Sequence, residues 1–203
     1  MLENELPWEK RTNWQKVKKV YKYVFEENTA LSWVASIIVA FVVVKFIFYP
    51  VLSLILGTGL PLVAVISPSM EHNGMDFDSW WDENKEWYEE RGIYKEEFQE
   101  YSLKNGFNTG DVIVLGGAKD VERGDTVVYI NDYTALLGSY PVIHRVTFIN
   151  ETDNSLEVKG DNNDRQDQWA VYEGELQGKA LFKIPYLGWL KIWVAQIIAL
   201  GGN

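Results

Sequence analysis

The segment VIHRVTFINETDNSLEVKGD, residues 142–161, carries the clearest structural pattern in this chain. Two runs rich in β-branched residues, 142–149 and 155–159, stand on either side of the polar segment 150–154. Runs of this kind around a short polar turn predict an antiparallel β-hairpin. The turn also contains Asn150-Glu151-Thr152, which matches an N-glycosylation acceptor, although turn formation alone explains these residues.

Other short apolar runs extend this pattern through the second part of the chain. They cover residues 62–66, 111–115, 125–130 and 179–184. Gly-Asp pairs at 110–111, 124–125 and 160–161 separate the runs and supply turn residues. Together with the hairpin, these runs predict a mainly β, α+β fold built on an antiparallel β-sheet.

Residues 71–109 interrupt the strands with an acidic, aromatic composition. They contain eleven acidic and four basic residues. Asp78 or Ser79 is expected to cap a helix over 80–90, and a second helix is expected over 94–103. Two interpretations of this acidic helical insertion stay open. It is either a solvated cap whose aromatic rings close a small satellite core, or a lid or docking surface beside an active site.

Residues 30–50, ALSWVASIIVAFVVVKFIFYP, are apolar except for Lys45. An apolar run of about 20 residues is long enough to cross a bilayer as a helix. The sequence therefore predicts a transmembrane helix over 31–49, which Pro50 would end or kink. Lys45 lies close to one end of this span, where its amine can reach the headgroups. A cleaved signal peptide has a shorter apolar core and a small-residue cleavage site, and neither is found here.

Basic residues are concentrated before the apolar run. They are Lys10, Arg11, Lys16, Lys18, Lys19 and Lys22. After Lys45 the next basic residue is Lys85. The positive-inside rule then places the N-terminus in the cytoplasm and the chain beyond about residue 60 outside, as in a single-pass protein of the cell membrane. Residues 10–25 also have an apolar helical face, which is typical of a helix lying on the inner membrane surface.

The predicted organisation has four segments. Residues 1–28 form a cytoplasmic amphipathic segment, and 29–60 form the transmembrane anchor and a link. Residues 61–186 form an extracytoplasmic β-rich domain that contains the insertion. Residues 187–203 form a C-terminal apolar helix, for which the tryptophans favour an interfacial position over a second span.

Charge and cysteine content exclude some classes of function. Residues 1–60 hold seven Lys/Arg and five Asp/Glu, whereas the remainder holds twelve and twenty-four. A strongly acidic domain argues against nucleic acid as a partner, because phosphate binding needs a basic face. The chain has no cysteine, which excludes disulfides and thiolate metal sites.

The scarcity of histidine narrows the search for a general base. Only His72 and His144 are present, and histidine titrates closest to neutral pH. Ser69 follows an apolar run in the sequence Val65-Ile66-Ser67-Pro68-Ser69-Met70, where the proline stiffens the turn. A serine nucleophile needs such a base. Taken alone, Ser69 fits an ordinary turn and His144 a packed histidine.

A loop with three aspartates follows the second hairpin strand. Asp161, Asp164 and Asp167 lie within seven residues after Gly160. One of them could orient an imidazole ring, or the loop could be a solvated turn. A calcium loop of the EF-hand type is set aside, because Gln166 and Tyr172 occupy the positions that need Gly and Glu.

The combination of these segments resembles a known family. Ser67-x-Ser69-Met70, Arg123-Gly124-Asp125, His144-Arg145 and Gly160-Asp161-Asn162-Asn163 with Asp167 occur in this order after an N-terminal anchor. This arrangement resembles the type I signal peptidases of the branch shared by archaea and the endoplasmic reticulum, over about residues 30–190. The bacterial branch has lysine at the position of His144.

The resemblance implies roles for individual residues in a membrane-bound serine endopeptidase. Ser69 matches the nucleophile and His144 the general base, whereas Asp167 and Asp161 match two important acidic positions. Ser67 and Met70 are expected to contribute to oxyanion and substrate binding. The implied reaction removes N-terminal signal peptides from exported preproteins and needs no metal or organic cofactor. The implied partners are these preproteins, the lipid bilayer and the translocation channel.

The chain departs from the family pattern around the nucleophile, and two other functions stay open. Many relatives have Gly at the position of Pro68, and a Pro shortly after Met70 where this chain has Glu71-His72-Asn73-Gly74. One alternative is a non-catalytic, membrane-tethered β-domain that binds partners through the acidic aromatic insertion. Another is a related protease that matures a special exported substrate, such as a pilin-like protein.

Overall fold

A computed structural model describes residues 7–136, 140–190, 192, 193 and 196. The chain forms two compact units, Met1–Leu52 and Ser53–Asn203. Most of the C-terminal helix expected over 187–203 lies outside the described residues.

The first unit contains two helices that begin at threonine caps. Helix α1 spans Asn13–Phe25 and helix α2 spans Ala30–Val43. The Thr12 hydroxyl accepts a hydrogen bond from the backbone amide of Gln15. The Gln15 side chain accepts one from the backbone amide of Thr12 in return. Thr29 and Ser32 make the same reciprocal pair at the start of α2. Each pair satisfies amides that have no partner in the first turn of a helix.

The apolar helix is longer than the sequence predicts. It continues from α2 through a π-helical segment, Val44–Phe48, into α3, Tyr49–Leu56. Pro50 therefore does not end it. The wide π turn stands directly before the proline, where the ring would otherwise crowd the preceding carbonyl of a regular α-helix. The resulting 27-residue helix, Ala30–Leu56, is apolar and exposed, so its length and composition suffice to cross a membrane.

The second unit is an antiparallel six-stranded sheet in the order β1-β2-β6-β3-β4-β5. The strands are β1 Leu62–Ala64, β2 Val112–Gly116, β3 Thr126–Tyr129, β4 Val142–Ile149, β5 Leu156–Lys159 and β6 Leu176–Ile184. Each matches one of the six runs identified in the sequence, and the β4–β5 pair is the expected hairpin. The mainly β, α+β fold class is confirmed.

Alternation along β4 sends neighbouring residues to opposite faces of the sheet. Ile143 belongs to a core cluster that also contains Met70, Phe107 and Ile113. Val146 belongs to a second cluster with Val127 and Tyr129. His144 and Arg145 follow the same alternation, so His144 shares a face with the second cluster and Arg145 shares a face with the first.

The acidic insertion forms helix α4, Phe77–Glu89, and the single turn α5, Lys95–Phe98. Asp76, rather than Asp78 or Ser79, caps α4 by accepting a hydrogen bond from the Ser79 amide at 2.8 Å. The aromatic side chains form their own buried cluster, which consists of Trp80, Trp81, Tyr88, Ile93 and Phe98. The satellite-core interpretation is therefore the one that the structure shows. A short helix α6, Asp132–Leu136, follows β3.

Candidate active site

The Ser69 turn begins after β1 and is anchored by the next residue in the chain, Met70. The Ser67 and Ser69 hydroxyl oxygens lie 3.2 Å apart, and Ser67 is exposed while Ser69 is half-buried. Met70 is fully buried in the core. Its packing makes the Met70 side chain a fixed point beneath the turn, and the expected contribution of Met70 to substrate binding stays a prediction.

Two loops clamp the backbone of this turn. The Phe107 amide donates to the Met70 carbonyl at 3.0 Å, and the Asn162 amide donates to the Ser69 carbonyl at 2.8 Å. Gly160 also lies against the turn, where a Cβ atom would stand only 2.6 Å from the Ser69 carbonyl oxygen. Glycine at this position lets the two segments approach, so the motif after β5 has a steric reason.

His144 is held in place by a carboxylate, which a phenol binds in turn. His144 Nδ1 lies 2.7 Å from Asp167 Oδ2, and both side chains are 9% exposed. Because an ionised carboxylate only accepts hydrogen bonds, Nδ1 carries a proton, and in the neutral imidazole Nε2 then keeps the lone pair. The hydroxyl of Tyr129 donates to the same Asp167 oxygen. The arrangement leaves Nε2 as the nitrogen that can take a proton.

One loop connects the serine turn to the histidine. The Asn162 amide binds the Ser69 carbonyl, and five residues later the Asp167 carboxylate binds His144. The backbone amide of Asp167 donates to the Val158 carbonyl at 2.9 Å, which holds this end of the loop on β5. A cleft of about 670 Å³ is lined by residues 162–169 of the same loop. Within the described residues, no hydrogen bond joins Ser69 to His144. Nucleophile–base hydrogen bonds are often long without substrate.

Asp161 lies in a different environment from Asp167. It is fully buried, and its carboxylate accepts two hydrogen bonds from the Arg145 guanidinium, at 2.9 Å from Nε and 2.8 Å from Nη2. Burial alone would raise the pKa of Asp161, but the Arg145 charge and the hydrogen bonds from His72 and Arg145 outweigh it and hold this pKa well below its usual range. Asp161 makes no contact with His144 within the described residues, so the structure separates the two aspartates.

Arg145 connects the sheet to the insertion. Its guanidinium donates to the carbonyls of Ser102, Leu103 and Gly124, at 2.9, 3.0 and 2.9 Å. It also lies 4.8 Å from the centre of the Phe98 ring. Burial would lower the pKa of Arg145, but the Asp161 charge raises it, so both partners stay ionised. This buried pair fixes the loop from which Asn162 reaches the serine turn.

His72 completes this buried group and is unavailable to solvent. It is 4% exposed, with Nε2 at 3.2 Å from Asp161 Oδ2. Its ring stacks on Trp80 with centroids 3.9 Å apart, while Nδ1 is buried without a hydrogen-bond partner. The geometry makes His72 a packed core residue, whereas His144 has the more accessible arrangement.

Lys159 is also buried on this face of the sheet. Its Nζ donates to the Gly160 carbonyl at 3.0 Å and lies 4.9 Å from the centre of the Tyr88 ring. Burial lowers the pKa of Lys159 to about 8, although the Asp161 charge opposes the change. The charged groups beneath the serine turn are therefore closely packed and buried from solvent.

Three of these residues had no role assigned from the sequence. Arg145 and Lys159 are charged positions inside apolar strand runs, and this is a detectable signal, because a charge on a buried strand needs a partner. Tyr129 gave no comparable signal, because tyrosine is common in strands and its neighbours depend on the register of β3 against β4. Within the described ranges, no cluster of three or more His, Cys, Asp or Glu side chains could hold a metal ion.

Comparison with known proteins adds one similarity. No protein-family model matches the chain. The signal peptidase complex catalytic subunit SEC11 of Lachancea thermotolerans is 31% identical over 108 residues, which correspond to 47% of this chain and 62% of that protein. The match thus covers less than two thirds of its relative. This similarity supports a relationship with the signal peptidases, and hence with proteases that act on signal peptides.

Proposed function

We propose that this chain is a membrane-bound serine endopeptidase that removes N-terminal signal peptides from exported preproteins. The observation that carries the proposal is the His144–Asp167 pair, held by the same loop that binds the backbone of Ser69. The similarity to a signal peptidase catalytic subunit supplies the class of reaction.

In the first step of the proposed reaction, Ser69 Oγ attacks the carbonyl carbon of the scissile peptide bond. His144 Nε2 takes the hydroxyl proton as the bond forms, because Asp167 keeps the other ring nitrogen protonated. The Ser69 amide and the Ser67 hydroxyl stabilise the negative charge on the former carbonyl oxygen. Collapse of this intermediate breaks the C–N bond, and His144 returns the proton to the leaving amine.

In the second step, water replaces the released polypeptide. His144 takes a proton from the water while its oxygen attacks the acyl carbon of the ester on Ser69. The Ser69–acyl bond then breaks, the proton passes to Ser69 Oγ, and the signal peptide leaves with a new carboxylate. His144 carries each proton that is exchanged with Ser69, the leaving amine and the attacking water, and the new carboxyl group then loses its proton to solvent, so the scheme needs neither a metal nor an organic cofactor.

The proposed location follows from the apolar helix and its flanks. The helix Ala30–Leu56 serves as the anchor, with the basic segment before it in the cytoplasm. The protease domain, 61–186, works on the outer side, with the bilayer and the translocation channel as neighbours. Only residues 57–68 separate the helix from Ser69, which limits their separation to about 40 Å.

Cleavage of a synthetic preprotein by the full chain in detergent or liposomes tests this proposal. Mass spectrometry should find one cut at the end of the signal peptide with wild-type protein. Ser69→Ala should leave only a residual rate, because loss of a triad member leaves about 10³–10⁴-fold over water from the oxyanion hole and binding. Ser79→Ala, at an exposed serine of α4, is the matched control and should cleave normally.

Other outcomes distinguish the remaining functions. Cleavage restricted to an unusual exported substrate would support a specialised maturation protease. Absence of cleavage with every preprotein would contradict the enzymatic proposal and support a non-catalytic binding domain. Binding through the aromatic side chains of the insertion is disfavoured, because Trp80, Trp81 and Phe98 are buried against one another.

A further inference from the structure

Asp167 receives two hydrogen bonds at a single oxygen atom. Oδ2 lies 2.7 Å from His144 Nδ1, and the Tyr129 hydroxyl donates to that same oxygen. The bond to His144 takes part in the proposed reaction, whereas the bond from Tyr129 has no role in the steps described above. A second donor at the same oxygen disperses part of the carboxylate charge that His144 would otherwise experience.

The sheet register fixes Tyr129 in this position. His144 on β4 pairs directly with Val127 on β3, so Tyr129 is the diagonal neighbour on the same face. Its ring centre is 6.5 Å from that of His144, with the ring planes inclined at 62°. Tyr129 is completely buried within the second core cluster, and its hydroxyl is directed at the carboxylate rather than at solvent.

Burial also keeps the phenol protonated. Burial, followed by the hydrogen bond to Asp167 and the Asp167 charge, raises the pKa of Tyr129 far above its ordinary value. The hydroxyl is thus protonated around neutral pH, where it remains a donor to the carboxylate.

We propose that Tyr129 is a positioning residue that orients Asp167 toward His144 and limits the basicity of the imidazole. The inference rests on the proposed function for its catalytic consequence. An unshared carboxylate would attract the imidazolium form more strongly, so a larger fraction of His144 would be protonated at a given acidic pH. Tyr129 therefore keeps His144 unprotonated, and available as a base, at a lower pH.

The other charged groups near this face either bind partners of their own or are exposed to solvent. Lys179 on β6 pairs with Asp125 at 3.0 Å, and Glu157 on β5 accepts a hydrogen bond from Gln166 at 3.0 Å. The Glu175 charge reaches Tyr129, and its carboxylate accepts from the Tyr172 amide. Asp132 on α6 and Asp164 in the loop are exposed. Arg145 and Asp161 bind each other on the opposite face.

Tyr129→Phe tests the proposal, with Tyr133→Phe as the matched control. Tyr133 stacks on Trp169 with its ring 54% exposed, so its hydroxyl can be removed without disturbing the site. In Tyr129→Phe, the acid limb of the rate profile should move up by about one pH unit, the size of one charge-assisted hydrogen bond. We expect kcat to fall and KM to stay unchanged. Tyr133→Phe should match wild type.

A second measurement does not depend on activity. The chain has only two histidines, so NMR of histidine-labelled protein in micelles follows each ring separately. The pH midpoint of the His144 signals should rise in Tyr129→Phe. Fluorotyrosine at position 129 preserves packing and makes a stronger donor, so it should lower that midpoint. His72, on the opposite face, is the internal reference.

The outcomes separate this inference from the proposed function. Opposite shifts of the His144 midpoint in the two variants support the role of Tyr129, whether or not the wild type cleaves preproteins. An unchanged midpoint in both variants, or shifts in the same direction, would overturn it. Failure of wild type to cleave any preprotein, with the opposite NMR shifts present, would overturn the function alone.

Discussion

The molecule contains two histidine–aspartate pairs that have the same chemistry and different surroundings. His144 and Asp167 lie 2.7 Å apart and are partly open, with Tyr129 as their third member. His72 and Asp161 lie 3.2 Å apart and are closed in by the insertion. A histidine beside a carboxylate is therefore insufficient to identify a catalytic pair, because its surroundings decide what it does.

Arg145 makes the difference between the pairs. It compensates the charge of Asp161, because its guanidinium donates to both carboxylate oxygens. Asp167 has no cationic partner within the described residues, and its charge remains available to an imidazolium that forms during a reaction. Because His144 and Arg145 are consecutive on β4, one strand supplies both the candidate base and the cation of the closed pair.

The largest expected difference between the pairs is in activity. Asp167→Asn should lower kcat by about 10⁴-fold, because an amide no longer selects the useful tautomer of His144. The free energy of unfolding should change little, since asparagine has nearly the same shape. Preprotein cleavage and urea unfolding of the full chain in detergent measure the two quantities. Asp164→Asn, at an exposed position of the same loop, is the control. Equal losses of kcat in Asp167→Asn and Asp164→Asn would contradict a catalytic role of Asp167.

The corresponding substitution in the closed pair should lower the free energy of unfolding. Asp161→Asn leaves the Arg145 guanidinium buried without a compensating charge, and breaking such a pair costs about 3–5 kcal/mol of unfolding free energy. Tryptophan fluorescence during urea unfolding is a suitable measurement, because Trp80 and Trp81 are buried beside this group. A loss no larger than that of Asp164→Asn would show that the closed pair is not a source of stability.

The pairs should also differ in their response to alkaline pH, because Lys159 accompanies only the closed one. Its pKa of about 8 in the folded chain is below its ordinary value of 10.5, so the unfolded chain binds more protons between these values. The Lys159 contribution to stability should therefore rise with pH in this window, by at most about 1.4 kcal/mol per pH unit.

Comparing wild type with Lys159→Met over this window isolates the effect from the titration of tyrosines. The difference in unfolding free energy between the two proteins should change with pH in favour of wild type. Lys85→Met, at an exposed position of α4, should show no such trend. A pH-independent difference for Lys159→Met would mean that the amine titrates normally in the folded chain.

The smallest expected effect comes from the ring of the closed pair. His72→Phe keeps an aromatic ring against Trp80 and loses one long hydrogen bond to the charged Asp161, worth about 1.5 kcal/mol of stability. Cleavage should be nearly normal, whereas His144→Phe should be inactive. Parallel cleavage assays and melts measure both effects. A His72→Phe protein that folds and fails to cleave would make His72 part of the mechanism.

The sequence predicts the sheet well because its information is local. Each strand is a β-branched run bounded by turn residues, and this pattern depends on neighbours along the chain. The pairing of Asp161 with Arg145 depends instead on how the loop after β5 packs on β4, and no spacing rule gives that. Pro50 shows the same limit in a helix, since a π turn before it lets the helix continue. The resemblance selects His144 as the base, whereas the stacking of His72 on Trp80 and its contact with Asp161 have no signal in the sequence.

The alternation of β4 has a consequence for how this protein can change in length. Inserting or deleting one residue before His144 would exchange the faces of His144 and Arg145, so the candidate base and the buried cation would be misplaced together. One extra residue in the neighbouring turn, 150–154, would lengthen an exposed loop at a small entropic cost. We expect length variation among natural variants to accumulate in the turn and to be excluded from the strand beside it.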